Sequence, residues 1–205
     1  WGLIEMYQLT FDLEYLEEAI RLSDYQINNF WDKENKGFFY YDKNSEQLIV
    51  RAKEVYDGAI PSGNSVSAFN FIRLGKILNN DKYKNIADDI INAFSSRINS
   101  SGTSFSMMLH SIDYNFGPSY EAIVVGNPVD PRTIEILNAI NRSKNLNKVV
   151  ILLDPNKKEE IINLIPFSEF YFNAQTNEPM AYICKDYTCD LPTNNLVKIR
   201  EQLNY

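Results

Sequence analysis

The sequence predicts a mainly α fold with a smaller α/β part: a fragment of an (α/α) toroid over residues 1–115, then a small parallel β-α-β unit over residues 116–205. Three observations predict it. Apolar residues recur at helical spacing in successive segments joined by short polar connections. The character of the chain changes at Phe116-Gly117-Pro118. Beyond that point, two continuous apolar runs flank a helical segment, the pattern of a parallel crossover.

Each element has a local reason. Trp1 to Leu9 is short and apolar on one side, the end of a helix. Asp12 is placed to cap a helix running to about Phe30, with Leu13, Leu16, Ile20 and Ile27 on one face. Phe38 to Tyr41 is an aromatic run that reads as a strand or extended arm, and Leu48 to Arg51 as a second extended piece. Ser62 or Asn64 can cap the next helix, to about Leu78. Its apolar residues (Val66, Phe69, Phe71, Ile72, Leu74 and Ile77) fall on several faces, so it is expected to be buried on several sides. Asp81 is expected to cap a helix whose stripe of Tyr83, Ile86, Ala87, Ile90 and Phe94 is single, as on an outer helix. Phe105 to Asp113 is a further short helix. Inner and outer helices in alternation suggest helical hairpins of a toroid.

In the second part, Glu121 to Gly126 is a continuous apolar strand and Lys148 to Leu153 another. Between them Asp130 is an N-cap, with Pro131 at the first helical position and the helix ending near Arg142. A lysine- and glutamate-rich helix is expected from Lys157 to Leu164. Phe170 to Phe172 and Met180 to Cys184 can add strands, and Thr193 to Leu203 a closing helix.

Composition excludes several function classes. Hydrophobic residues are 44% of the 205 and charged residues 23%, enough for a packed core. The net charge is −7 and the one basic pair, Lys157-Lys158, is followed at once by Glu159-Glu160, so no nucleic-acid face is expected. No apolar run approaches the ~18 residues of a membrane span. Trp1 is not a start methionine, and the chain is read as a piece of a larger cytoplasmic protein.

The most specific stretch is Lys53-Glu54-Val55-Tyr56-Asp57-Gly58-Ala59-Ile60-Pro61-Ser62-Gly63-Asn64-Ser65. It closely resembles the signature loop of the thioredoxin-domain-containing proteins of the spermatogenesis-associated type. Glu121 to Pro131, and Ala181 to Cys189 with the following Pro192-Thr193, are similar to that family's C-terminal α/β segment. The resemblance covers essentially the whole chain. It implies a larger protein with an N-terminal thioredoxin-like domain, absent from this chain, and an (α/α) toroid similar to N-acylglucosamine 2-epimerases and six-hairpin glycosidases. It implies no particular reaction.

The toroid analogy suggests a sugar-like small molecule as ligand. Glu54 and Asp57 are then candidates for acid and base, because carboxylates in a partly desolvated mouth suit proton transfer at a sugar carbon. Tyr56, Ser62 and Asn64 are candidates for binding hydroxyls, Arg51 for holding a carboxylate or phosphate, and Trp31, with Phe38, Phe39 and Tyr40, for stacking on a sugar face. The competing account is structural: Gly58 and Gly63 take unusual φ, Pro61 stiffens the turn, and Asp57 and Asn64 bond backbone donors. On that account the region is a non-catalytic scaffold or ligand-binding module for the missing thioredoxin-like domain.

Other candidates carry less. His110, the single histidine, cannot form a histidine-rich metal site and reads as a helix residue. Cys184 and Cys189 are too few for a zinc site; they are a redox pair if the segment folds back, and otherwise free thiols. No cofactor fingerprint follows the first strand, and Pro128 and Pro131 remove donors a phosphate would need, so no cofactor is expected. A truncated toroid leaves inner helices uncovered, so self-association is a further expectation.

Overall fold

The computed structural model describes residues 1–45, 50–174, 178–186 and 188–203. They form two compact units, each built from separate stretches of chain. The first takes residues 1–7, 14–75 and 80–117; the second takes 8–13, 76–79 and 118–205.

The first unit is helical. It contains most of α1 (Gly2–Thr10), all of α2 (Leu13–Phe30) but its first residue, most of α3 (Gly63–Ile77), α4 (Asp81–Ser100) and α5 (Ser106–Phe116). In α3 every residue from Arg73 to Ile77 is buried, as are Ser65, Ala68, Phe69, Phe71 and Ile72. The two cations within α3 are partnered: Arg73 donates to Glu5 at 2.7 Å, and Lys76 belongs to the second unit. α4 carries the expected single buried stripe, extended by Ile91 and Ile98. Its cap is Asn80 rather than Asp81. Asn80 holds an extended backbone and accepts from the Lys82 N–H, so Asp81 is already the first helical residue and adds a negative charge where the helix dipole favours one.

Between α2 and α3 the chain is extended. Phe38 makes an antiparallel bridge to Trp31, and the Tyr40 N–H donates to the Ala52 carbonyl. Gly37 sits at φ +77°, the left-handed region that glycine tolerates. Of the extended piece expected at Leu48–Arg51, Leu48 and Ile49 lie outside the described residues.

The second unit is a four-stranded mixed sheet in the order β2-β1-β3-β4, with β1 (Tyr120–Val125) parallel to β2 (Lys148–Leu153). β3 (Met180–Lys185) runs antiparallel to β1, and β4 (Thr188–Cys189) antiparallel to β3. The β1-β2 crossover is α6 (Pro131–Asn141), capped by Asp130 with Pro131 at its start, as the sequence indicates. The sheet's alternation sorts the core. Tyr120, Ala122, Val124, Val150, Leu152, Ala181 and Ile183 pack with Ile136 and Ile140 of α6 and with Ile199 of α9 (Leu196–Gln202). β2 is an edge strand, and the Gln8 amide oxygen accepts its Val150 N–H at 2.8 Å.

Two expectations change here. Phe170 to Phe172 is not a strand but lies in α8 (Ser168–Asn173), which follows α7 (Lys158–Leu164). Three aromatic residues in a row fit either period; the helix buries Phe172, leaves Phe170 exposed and sets the Tyr171 ring against Tyr182. The cysteines are not free thiols: Cys184 and Cys189 face each other across β3 and β4 and are joined in a disulfide.

Gly126, just after β1, has no room for a side chain. A Cβ there would lie 2.4 Å from the Thr133 hydroxyl oxygen and 3.0 Å from Pro179. Thr133 is fully buried and cannot swing away. Gly126→Ala is expected to destabilise the chain by about 1–3 kcal/mol, the usual cost of overpacking. A urea midpoint equal to that of the parent would show that the β1–α6 turn relaxes freely.

Candidate functional site

The signature loop is organised around the Asp57 carboxylate. One oxygen accepts the Ser62 N–H at 2.8 Å; the other accepts the N–H groups of Met107 and Met108 at 2.9 and 3.0 Å. The last two are among the orphan donors at the start of α5. The residue at the N-cap of that helix, Phe105, offers no side-chain acceptor. Asp57 therefore caps α5 from 50 residues upstream, and its charge lies where the helix dipole favours an anion. The Asp57 N–H donates to the Ser104 carbonyl, which fixes the loop from its backbone as well.

Asn64 has a similar role. Its side chain accepts the Phe38 N–H at 2.7 Å and donates to the carbonyls of Phe38 and Glu54, at 3.0 and 2.7 Å. Ser62 accepts the Ser65 N–H at 3.1 Å and donates to the Ser65 hydroxyl, so it caps α3. All three side chains are buried. Their polar atoms are turned to the protein's own backbone and to one another, as the structural account has it for Asp57 and Asn64; its other part changes, because neither Gly58 nor Gly63 takes a positive φ.

The other candidates lie elsewhere. Trp31 sets its ring edge-on to Phe38, centroids 4.9 Å apart. Arg51 does not pair with Glu54: its guanidinium donates to the Tyr41 carbonyl at 2.9 Å and lies 4.0 Å over the Phe39 ring. Glu54 and Tyr56 are exposed, and they face an open groove of about 380 Å³. Its walls include Tyr40, Tyr41, Glu54, Tyr56, Arg97 and Phe105. Of the site residues read from sequence, the groove gathers Glu54, Tyr56 and Tyr40; Asp57, Ser62, Asn64, Arg51 and Trp31 are not among its lining. Tyr41 was legible in the aromatic run Phe38–Tyr41, whereas nothing in the sequence places Arg97 of α4 beside this loop.

A charged cluster adjoins the groove through Lys53. Lys53 lies on the groove wall, and its ammonium donates to Asp32 at 2.7 Å and to the Lys36 carbonyl at 2.6 Å. Burial alone would raise the Asp32 pKa. The Lys53 ammonium and the N–H groups of Asn35 and Glu34 more than offset this, holding it down to about 2.

No protein-family model matches the chain. Over 206 residues it is 28% identical to spermatogenesis-associated protein 20 of Rattus norvegicus, covering 99% of this chain and 26% of that protein. Over 204 residues it is 26% identical to the protein of the same name from Homo sapiens, again 99% of this chain and 26% of the relative. An uncharacterized protein of Caenorhabditis elegans is 26% identical over 203 residues, 99% of this chain and 27% of that protein. The chain thus spans about a quarter of the length of the curated relatives it matches. The likeness runs from end to end and supports the family resemblance read from the loop.

Two outcomes follow from the loop geometry. In Asp57→Asn, an NH₂ group replaces one acceptor and at least one buried N–H loses its partner. A loss of about 2–4 kcal/mol is expected from one or two such groups, and an unchanged denaturation midpoint would remove Asp57 as the tie. Asp32, with its pKa depressed from 3.8, stabilises the fold fully above that value and loses its contribution as pH falls towards about 2. The stability gap between the parent and Asp32→Asn should therefore be flat at neutral pH and close between 3.8 and about 2; a gap that is constant through acid would exclude this linkage.

Proposed function

We propose that this chain is a non-catalytic, sugar-binding module of a larger protein in the spermatogenesis-associated family, with its ligand in the groove beside Glu54 and Tyr56. The observation that carries this reading is the state of Asp57. Its carboxylate accepts three backbone N–H groups, is buried and does not line the groove, so it is not positioned to work as the partner of Glu54. What remains in the groove is chemistry for binding. Three tyrosines offer rings for the apolar faces of a sugar and hydroxyls for its rim, and Glu54 and Arg97 offer charged hydrogen-bonding groups.

The helical unit agrees with this reading. One helix buried on nearly every side, α3, beside one with a single buried stripe, α4, supports its assignment to an (α/α) toroid of the six-hairpin glycosidase kind. Such toroids are associated with carbohydrate ligands, although a fold alone does not fix a function. An epimerase- or glycosidase-like activity has weaker support. It would need a second proton-handling group at the groove, and that role would pass from Asp57 to a tyrosine. The thioredoxin-like domain implied by the family resemblance would then be the catalytic or recognition partner that this module serves.

The test is a panel of neutral sugars and sugar phosphates added to the chain and read by thermal shift. A ligand at 100 times its dissociation constant stabilises the folded state by about 2.7 kcal/mol, a readily seen rise in Tm. Tyr56→Ala and Glu54→Gln should abolish the shift without lowering the unliganded Tm, since both side chains are exposed. A sugar that binds equally well to both variants would put the site elsewhere; turnover lost in Glu54→Gln would restore the enzymatic reading.

A further inference from the structure

The second unit holds a cavity of about 220 Å³, separate from the groove, lined by Lys76, Glu121, Phe167, Tyr171, Cys184 and Cys189 among others. We propose that its Cys184–Cys189 disulfide is a thiol–disulfide exchange site whose substrate is a dithiol. Three features of the site support this.

The bond lies at the low end of what a disulfide contributes to a fold. It joins residues only five apart in sequence that are already opposite each other in a hairpin, held by the β3–β4 pairing and by the Asp190 N–H to Ile183 carbonyl bond. Stabilisation by a disulfide grows with the length of chain it closes, and here that length is short.

The two sulfurs are not equivalent. Cys184 is 3% exposed, in the interior half of the hairpin, whereas Cys189 is exposed on the edge strand. An incoming thiolate reaches Cys189 first. Thiol–disulfide exchange proceeds through a mixed disulfide, and the accessible sulfur selects which one forms.

The cavity supplies polar groups at the reacting pair. The Tyr171 hydroxyl lies 3.9 Å from the Cys189 sulfur. Burial, then the negative charge of Glu121, push the Tyr171 pKa up, so the phenol keeps its proton and can donate to a sulfur that gains charge. Glu121 is paired across the strands with Cys184, and its carboxylate is bound to Lys76 at 2.7 Å with both side chains buried. The ammonium on this wall balances that carboxylate, so an emerging thiolate does not face an uncompensated anion.

The steps balance as follows. A thiolate of the dithiol attacks the Cys189 sulfur, a mixed disulfide forms, and the Cys184–Cys189 bond breaks with Cys184 leaving as thiolate, which takes a proton from water. The second thiol of the substrate, deprotonated, attacks its own sulfur in the mixed disulfide. Cys189 leaves as thiolate and is protonated, and the substrate departs as a disulfide. Two electrons pass from the dithiol to the cysteine pair, and the reverse sequence oxidises it.

The test uses the unaltered chain, folded, with dithiothreitol and separately a reduced Cys-X-X-Cys protein as the dithiol, and glutathione as a monothiol at equal thiol concentration. Labelling of Cys184 and Cys189 is read by mass spectrometry after alkylation. Both cysteines should become labelled together, about tenfold or more faster with a dithiol than with the monothiol, because the second attack is intramolecular. Whichever dithiol reacts faster identifies the source, small molecule or protein. In a second arm, Cys184→Ser and Cys189→Ser are each treated with a chromogenic aromatic disulfide. The thiol left in Cys184→Ser, at Cys189, should form the mixed disulfide about tenfold faster than its counterpart. Reduction only in denaturant, dithiol rates no greater than the monothiol rate, or faster capture at Cys184 would each overturn the proposal.

Discussion

A single carboxylate holds the helical unit in register. Asp57 collects donors from the start of α5 and from the residue that caps α3, so two helix beginnings and the loop between β-like arm and helix share one acceptor. Hydrogen bonds to a charged group are worth about 1.5–3 kcal/mol each, and they are strongest where water is excluded. An acid in this state is a poor general base. Three backbone N–H groups already occupy its two oxygens, and it is turned into the protein rather than towards a substrate. The same geometry that makes the loop rigid removes it from proton chemistry.

How much of this was legible depended on whether the information was local. The caps at Asp130 and Ser62, the crossover β1-α6-β2 and the one-sided stripe of α4 follow from residues within a few positions of one another. The residues of the signature loop were legible as a unit, but not the direction in which they point. Glu54 and Tyr56 alternate outward while Val55 and Asp57 turn inward, and that phase is set by Ser104, Met107 and Met108 some 50 residues later. Asn80 displaced Asp81 as a cap because both are good capping residues and only the backbone angle decides between them. Phe170 to Phe172 could not be assigned from three aromatics alone.

The cysteine pair illustrates the opposite limit. A spacing of five residues leaves open whether the sulfurs meet. The answer lies in the hairpin register, Cys184 opposite Cys189 and Lys185 opposite Thr188, and register is a property of the sheet rather than of the spacing. Once β3 is fixed against β1, with Glu121 opposite Cys184, the sulfurs, the buried ion pair and the Tyr171 hydroxyl border one cavity.

The amide of Gln8, bonded to Val150, also sets a timetable. These partners are 142 residues apart, and the unit they join draws on the chain at residues 8–13, 76–79 and 118 onward. A ribosome adding roughly 5–20 residues per second leaves the early segment waiting on the order of ten seconds for its strand. During that interval Phe11, which packs against the sheet's core, has no surface to cover it. The α/β unit is thus a late event in the life of the nascent polypeptide, and a clone started at Pro118 would express a sheet stripped of two of its own parts.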